Sequence, residues 1–280
     1  MKSQFFKLAL VCVITAITSQ VNAQADFQGK AYYESKTTAQ MPDFGDRQIS
    51  EEQKKRIAER MKSMLEKTYI LSFNRSESIY KEEEKLESVS SGGGRGFRGL
   101  DLSAGPQYKN IKTNQVIVDQ EFFGKQFLIK DSLPKFAWKM ESESKQIGQY
   151  TCFKATAVKV VSNADVIGFG GPRRGEDDDK KDDKETTKEI VVTAWYTPQI
   201  PVNQGPGDYW GLPGLILGIN ADKTTILCSK IVLNSKDDAE ITAPKKGKEV
   251  TQAEYDKIVA EKMVEMREMR GNRGPGGRRR

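Results

Sequence analysis

The 280-residue chain contains no histidine, and this absence removes more chemistry than any motif adds. Without imidazole there is no Ser-His-Asp or Cys-His arrangement and no histidine general base. No histidine-ligated zinc, copper or non-haem iron centre can be built either. Cysteine is scarce, with Cys12, Cys152 and Cys228 alone, too few to fill the four ligand positions of a structural zinc. Long hydrophobic runs are also missing. The longest, LALVCVITAITS near the N-terminus, falls short of the roughly 20 apolar residues that cross a bilayer. Asp, Glu, Ser and Lys are abundant, so no pair of them stands out as a catalytic dyad. The sequence therefore predicts no catalytic residue, no cofactor and no resident metal, and points away from an enzyme.

The N-terminus has the layout of a secretory signal peptide: two lysines in MKSQFFK, the apolar run, then Val21-Asn22-Ala23 ending on a small residue. Cleavage is expected after Ala23, so residues 1–23 would be removed and the mature chain would carry no transmembrane span. Cys12 lies inside the apolar run without a small-residue box before it, which argues against acylation. The net charge of +6 is unevenly placed. Lys2 and Lys7 supply two of the six, and the last fourteen residues hold six arginines against Glu268. The body of the mature chain is close to neutral. A disordered basic tail is expected over 271–280, with an anionic envelope surface as its natural partner. Its Arg-Gly composition is like that of RNA-binding segments, but an exported chain meets little RNA, so no nucleic acid is predicted.

Between these ends the dominant signal is alternation of apolar and polar residues in short runs. Examples are TYILSFN, QVIVDQEFF, KQFLIKD, FAWKMES, YTCFKATAVKVV, EIVVTAWYT and TTILCSKIVLN. The reading is a mainly β protein: an antiparallel meander forming a half-open barrel or curved sheet, one domain over 24–250. Two glycine-rich or charged stretches, 88–106 and 162–187, read as flexible loops. Asp177, Asp178, Asp179, Asp182 and Asp183 in the second lack the spacing and mid-loop glycine of an EF-hand. The glycines at 92–96 lack the lysine and hydroxyl residue of a phosphate loop. Two amphipathic helices are predicted to pack on or beside the sheet. One follows the capping box Ser50-Glu51-Glu52-Gln53, with Ile57, Met61, Met64 and Leu65 along one face. The other, over 251–270, follows Thr251-Gln252-Ala253-Glu254.

Cys152 and Cys228 both fall in predicted strands. In an exported chain an even pair suggests a disulfide, and two independent buried thiols are the other arrangement. The stretch GPGDYWGLPGLILGI, 205–219, is the most unusual segment. Its aliphatic run is too short for a membrane, its prolines remove backbone donors, and its glycines permit sharp turns and close backbone approach. It reads as a tight, aromatic-covered lead into a buried strand. Gly211 and Gly214 would take conformations that bulkier residues resist, and Leu215, Ile216 and Ile219 would fill the core.

Within it, Gly211-Leu212-Pro213-Gly214-Leu215-Ile216 spells the hexapeptide after which the GLPGLI family of exported Gram-negative bacterial proteins is named. The upstream Trp195, Tyr196, Pro201, Gly205 and Pro206 also resemble that family's approach to the hexapeptide, and Gly148-Gln149-Tyr150-Thr151-Cys152 resembles its cysteine strand. The family carries no established activity, so the resemblance implies a structural role for these residues and localisation to the periplasm or cell envelope. Its strand pattern is similar to the half-barrels of periplasmic lipoprotein carriers, a likeness of fold alone. The expected function is a non-enzymatic binder of an apolar ligand or an envelope protein. The alternative is a metal-handling protein that holds Cu(I) through the thioethers of Met61, Met64, Met263, Met266 and Met269.

Overall fold

The computed structural model describes residues 27–38, 50–83, 105–161, 188–234 and 241–271. The leader over 1–23, nearly all of the two predicted loops and the basic tail lie outside these residues. The elements run β1 (Gln28–Thr37), α1 (Glu51–Leu65), β2 (Glu66–Asn74), β3 (Glu77–Glu82), β4 (Gln107–Asn110), β5 (Gln115–Phe122) and β6 (Lys125–Ser132). They continue with β7 (Lys139–Ile147), β8 (Tyr150–Val161), β9 (Lys188–Thr197), β10 (Leu215–Ala221), β11 (Thr224–Leu233), β12 (Lys248–Val250) and α2 (Gln252–Gly271).

All twelve strands belong to one sheet, in the order β12-β6-β5-β4-β3-β2-β1-β11-β10-β9-β8-β7. It consists of two antiparallel meanders, β1 to β6 and β7 to β11, joined where β1 pairs with β11 from Gly29 opposite Leu233 to Thr37 opposite Thr224. Only β12 is parallel to its neighbour, β6. The sheet stays open, as expected for a half-open barrel or curved sheet.

This order dictates strong curvature. The chain leaves β6 at Ser132 and begins β7 at Lys139, ten strand positions away. Seven residue steps span at most about 25 Å, whereas ten gaps of about 4.8 Å would separate β6 from β7 by about 48 Å in a flat sheet. The sheet must coil until its two limbs approach, and the 133–138 connector bridges them. β-Bulges at Tyr32/Tyr33, at Ile216/Gly218 and between Met140 and Ser144 supply local bends and extra twist.

The helices dock unequally. At the start of α1 the Gln53 amide N–H donates to Ser50 Oγ, and the Ser50 N–H donates to Gln53 Oε1, both at 3.2 Å. That reciprocal cap stabilises the first turn. Yet Ile57, Met61 and Leu65 are only half-buried, and Met64 is 54% exposed. This helix runs beside β1 and β2 rather than covering the sheet. The second cap joins Thr251 and Glu254 in the same reciprocal way. It starts α2, whose Tyr255 packs on Phe122 and Phe127 with Ile129 and Val250. Ile241 and Ala243 cover the other face of the same limb, over Tyr108, Ile117 and Leu128. The C-terminal arm thus wraps the β4–β6 limb from both sides, with β12 turning the corner.

Candidate functional site

Residues 198–214 connect β9 to β10 and lie inside the coiled sheet, where they touch both limbs. Several of their backbone N–H groups find partners within the segment itself. The Val202 N–H donates to the Ile200 carbonyl at 2.8 Å, the Gly211 N–H to the Asn203 carbonyl at 3.1 Å, and the Tyr209 N–H to the Pro206 carbonyl at 3.1 Å. Pro206, which is buried, brings no N–H that would need a partner there. Ile200, Val202 and Leu212 are almost fully buried. Each such side chain contributes roughly 1.5–3 kcal/mol of burial.

The hexapeptide ends this segment and begins β10. Gly211 has φ +91, and a Cβ there would meet Trp138 Nε1 at 3.9 Å, an ordinary contact, so its backbone conformation rather than crowding calls for glycine. Gly214 is a close approach, since a Cβ there would stand 2.2 Å from the Thr197 carbonyl oxygen. Leu215 and Ile216 are fully buried but enter different clusters. Leu215 joins Ala31, Tyr33, Leu71, Phe73 and Trp195, while Ile216 joins Tyr209, Leu212, Ala194 and Tyr196. Successive strand residues point to opposite faces, which makes this division; the Tyr33 hydroxyl donates to the Ile216 carbonyl at 2.7 Å, beside the bulge at Ile216/Gly218. Gly205 and Pro206 are buried, whereas Pro201 and Pro213 reach the surface.

A lysine buried beneath the segment pins it to one limb. Lys109 of β4 is fully buried, and its Nζ donates to the carbonyls of Gly205, Gly207 and Tyr209 at 2.6, 2.8 and 3.2 Å. Burial lowers its pKa to about 7, against the opposing pull of Asp208. Asp208 ties the segment to both limbs. Its Oδ1 accepts from Gln107 Nε2 of β4 at 2.7 Å, and its Oδ2 accepts from Lys159 Nζ of β8 at 3.1 Å. Burial would raise the Asp208 carboxyl, but Lys159, the Gln107 amide and Lys109 outweigh it and hold it below the usual value. Nearby, Gln204 is fully buried; its Oε1 accepts from Ser78 Oγ at 2.8 Å and its Nε2 has no partner.

Over the segment's outer side the 133–138 connector forms an aromatic clasp. The Trp210 indole N–H donates to the Pro134 carbonyl at 2.7 Å, and the Trp138 indole N–H to the Trp210 carbonyl at 2.9 Å. Phe136 stacks on Trp138 at 5.1 Å and lies 5.5 Å from Tyr209. Phe136, Trp138 and Trp210 are partly buried and keep some surface exposed. They form an aromatic rim beside the exposed backbone of Gly211.

Cys152 and Cys228 are both free thiols, buried in one apolar cluster. Burial pushes the first up to about 11 and the second up to about 12. The methionines singled out for copper sit on separate helices, α1 beside β1 and β2 and α2 against β6. Among the described residues no group of three or more histidine, cysteine, aspartate or glutamate side chains is arranged to hold a metal. No described helix is long and apolar enough to cross a membrane. Lys109, Lys159, Gln107, Gln204 and Ser78 were not among the residues the sequence singled out, because a lysine or glutamine in an alternating strand ordinarily faces water.

Two solved structures of PNGF-II, in space groups C2 and P21, resemble the fold at 13% identity and a TM-score of 0.47, over 84% of this chain. The chain corresponds to about a third of their length, 33% and 34%. No curated protein matches the sequence. Residues 138–218, which run from the aromatic clasp through the hexapeptide, match the family model Porph_ging, a protein of unknown function that goes with the GLPGLI name.

Proposed function

We propose that this chain is an exported cell-envelope protein that binds a partner without catalysing a reaction, and that the binding surface is the rim formed by Phe136, Trp138 and Trp210. The observation that carries this reading is the partial exposure of three large aromatics, of which Phe136 and Trp138 are anchored against the core beneath. Both indole N–H groups are already bonded to backbone carbonyls, so the rings are fixed and their free faces are apolar. Such preorganised aromatics give contact area at small entropic cost. The signal-like leader supports export, and the absence of histidine supports a non-enzymatic role.

Of the two occupants, an envelope protein segment fits this surface better than a lipid acyl chain. An acyl carrier of the half-barrel kind needs the inside of its sheet open, and here residues 198–214 fill that space. The test has two arms. Mass spectrometry of protein purified from the envelope should find no stoichiometric lipid. Photo-crosslinking from position 213 in cells should give one discrete adduct, lost in Trp138→Ala. Copurified lipid, or adducts unchanged by Trp138→Ala, would reverse the assignment. Metal handling is not favoured, because its methionines are divided between helices on different parts of the sheet.

A further inference from the structure

Among the described residues Lys109 is the charged side chain that is fully buried. It sits on the inner side of β4, fully buried, and what covers it is the segment whose three carbonyls it holds. An ammonium that burial removes from water is disfavoured against its neutral form. If its cover lifts, the same group regains solvent and its ordinary affinity for a proton. Cover and proton are then thermodynamically linked, whatever the chain binds.

We propose that residues 203–214 form a proton-linked cover, which takes up a proton on Lys109 when it opens and releases one when it closes. The parts needed for such motion are present. The backbone N–H groups of Tyr209, Gly211 and Gly214 bond to carbonyls within the segment, so it can keep its shape as it lifts. Lys109, Gln107, Lys159 and Ser78 are side chains that must let go of it. Gly207 and Gly211 at φ +54 and +91 lie where the backbone must turn. In the closed neutral state the amine donates two bonds, and the Tyr209 carbonyl, at the longest distance, is the one released.

The charged and titratable groups facing Lys109 are few. Asp208 on the segment is held by Gln107 and by Lys159 from β8. The phenols of Tyr80 on β3 and Tyr209 on the segment are both pushed up by burial, out of the neutral range. On β6, Asp131 is engaged instead by the backbone of Ser132 and of Gln252 at the start of α2. The chain has no histidine, and burial moves the thiols of Cys152 and Cys228 up to about 11 and about 12, clear of the pH range between 6 and 9 in which a cysteine or histidine ordinarily titrates. A near-neutral transition localised to the segment is therefore assignable to one residue.

The sign follows from the two states. Below about pH 7 Lys109 is charged whether the cover is open or closed, and opening is independent of pH. Above it the closed state is neutral and the open state charged, so opening becomes rarer as pH rises. Hydrogen exchange of the 203–214 amides in the purified protein, corrected for intrinsic rates, tests this. The opening constant should be flat from pH 5 to 7 and fall about tenfold per pH unit from 7 to 9. Lys109→Met and Lys109→Arg should each abolish the slope, the first because nothing titrates and the second because the guanidinium stays charged throughout. Should either variant fail to fold, the Lys109 13Cε resonance of the wild type decides: a midpoint near pH 7 upholds the linkage. A midpoint near the ordinary lysine value of about 10.4, a flat exchange profile, or a slope retained in Lys109→Met would overturn it.

Discussion

Replacing Gly214 by alanine tests whether the hexapeptide is fixed by close backbone approach. A Cβ at this position would lie 2.2 Å from the Thr197 carbonyl oxygen, 2.5 Å from its carbon and 2.9 Å from the Pro198 nitrogen. All three are backbone atoms, so no side chain can rotate away, and relief requires moving the start of β10 from the end of β9 by about 1 Å. Overpacking of this kind costs roughly 1–3 kcal/mol, and a backbone conformation unfavourable to L-residues adds about 1–3 kcal/mol. A total of about 2–6 kcal/mol is a large part of the ~5–15 kcal/mol that holds a typical domain. Urea unfolding followed by the fluorescence of Trp138, Trp195 and Trp210 measures the loss. Two controls separate the causes. Gly124 and Gly148 have φ +72 and +59 with nothing within 4 Å of an added Cβ, so alanine there costs only the conformational part, about 1–2 kcal/mol. If Gly214→Ala unfolds at the same urea concentration as Gly124→Ala, the close approach is not what demands glycine and the packing argument fails.

Leu212→Ala should cost about 2–5 kcal/mol, because the leucine is fully buried between the segment and the sheet; a loss below 1 kcal/mol in the same urea titration would mean that the segment is not packed as described. The thiols of Cys152 and Cys228, pushed up to about 11 and about 12, should ignore a thiol reagent at pH 8 in the folded protein. In urea both should react, and a chain giving no thiols there is disulfide-bonded. For Asp208, whose folded carboxyl titrates below its unfolded value, stability is present above the unfolded pKa of about 3.9 and lost as pH falls through the folded one. Asp208→Asn should therefore narrow its stability deficit toward pH 3, and an unchanged deficit in acid unfolding curves counts against the Lys159 and Gln107 contacts. Trp210→Phe leaves the Pro134 carbonyl without its donor and should cost about 1–3 kcal/mol, read as a lowered melting temperature.

How much of this was legible in the sequence depends on how far apart the interacting residues lie. β8 and β9 were visible because alternation is a local property, and Ala155, Ala157, Val192 and Ala194 point inward in register. The start of β7 was not. Phe136-Ala137-Trp138 carries strong strand propensity, yet it ends in the clasp against Tyr209 and Trp210, where tertiary packing overrides propensity. β12, with three residues paired parallel to β6, left no periodic trace. The apolar stripe of α1 was read correctly as a helix but not as one left largely exposed, because periodicity says which face is apolar and not whether anything covers it.

The bridging of the two limbs by the 133–138 connector was hidden for a deeper reason. The six residues between β6 and β7 are short enough for a hairpin loop, and only the pairing of β1 with β11 turns them into a bridge between distant limbs. The same long-range closure buries Lys109. In Gln107-Tyr108-Lys109-Asn110, alternation assigns tyrosine to the core and lysine to water. In the folded protein both faces of β4 are covered, Tyr108 by Ile241 and Ala243 and Lys109 by the carbonyls of residues 205–209. A strand covered by backbone rather than by side chains needs donors on that face. The polar residues that make β4 look exposed are thus the ones suited to its burial, and alternation alone cannot distinguish the two cases.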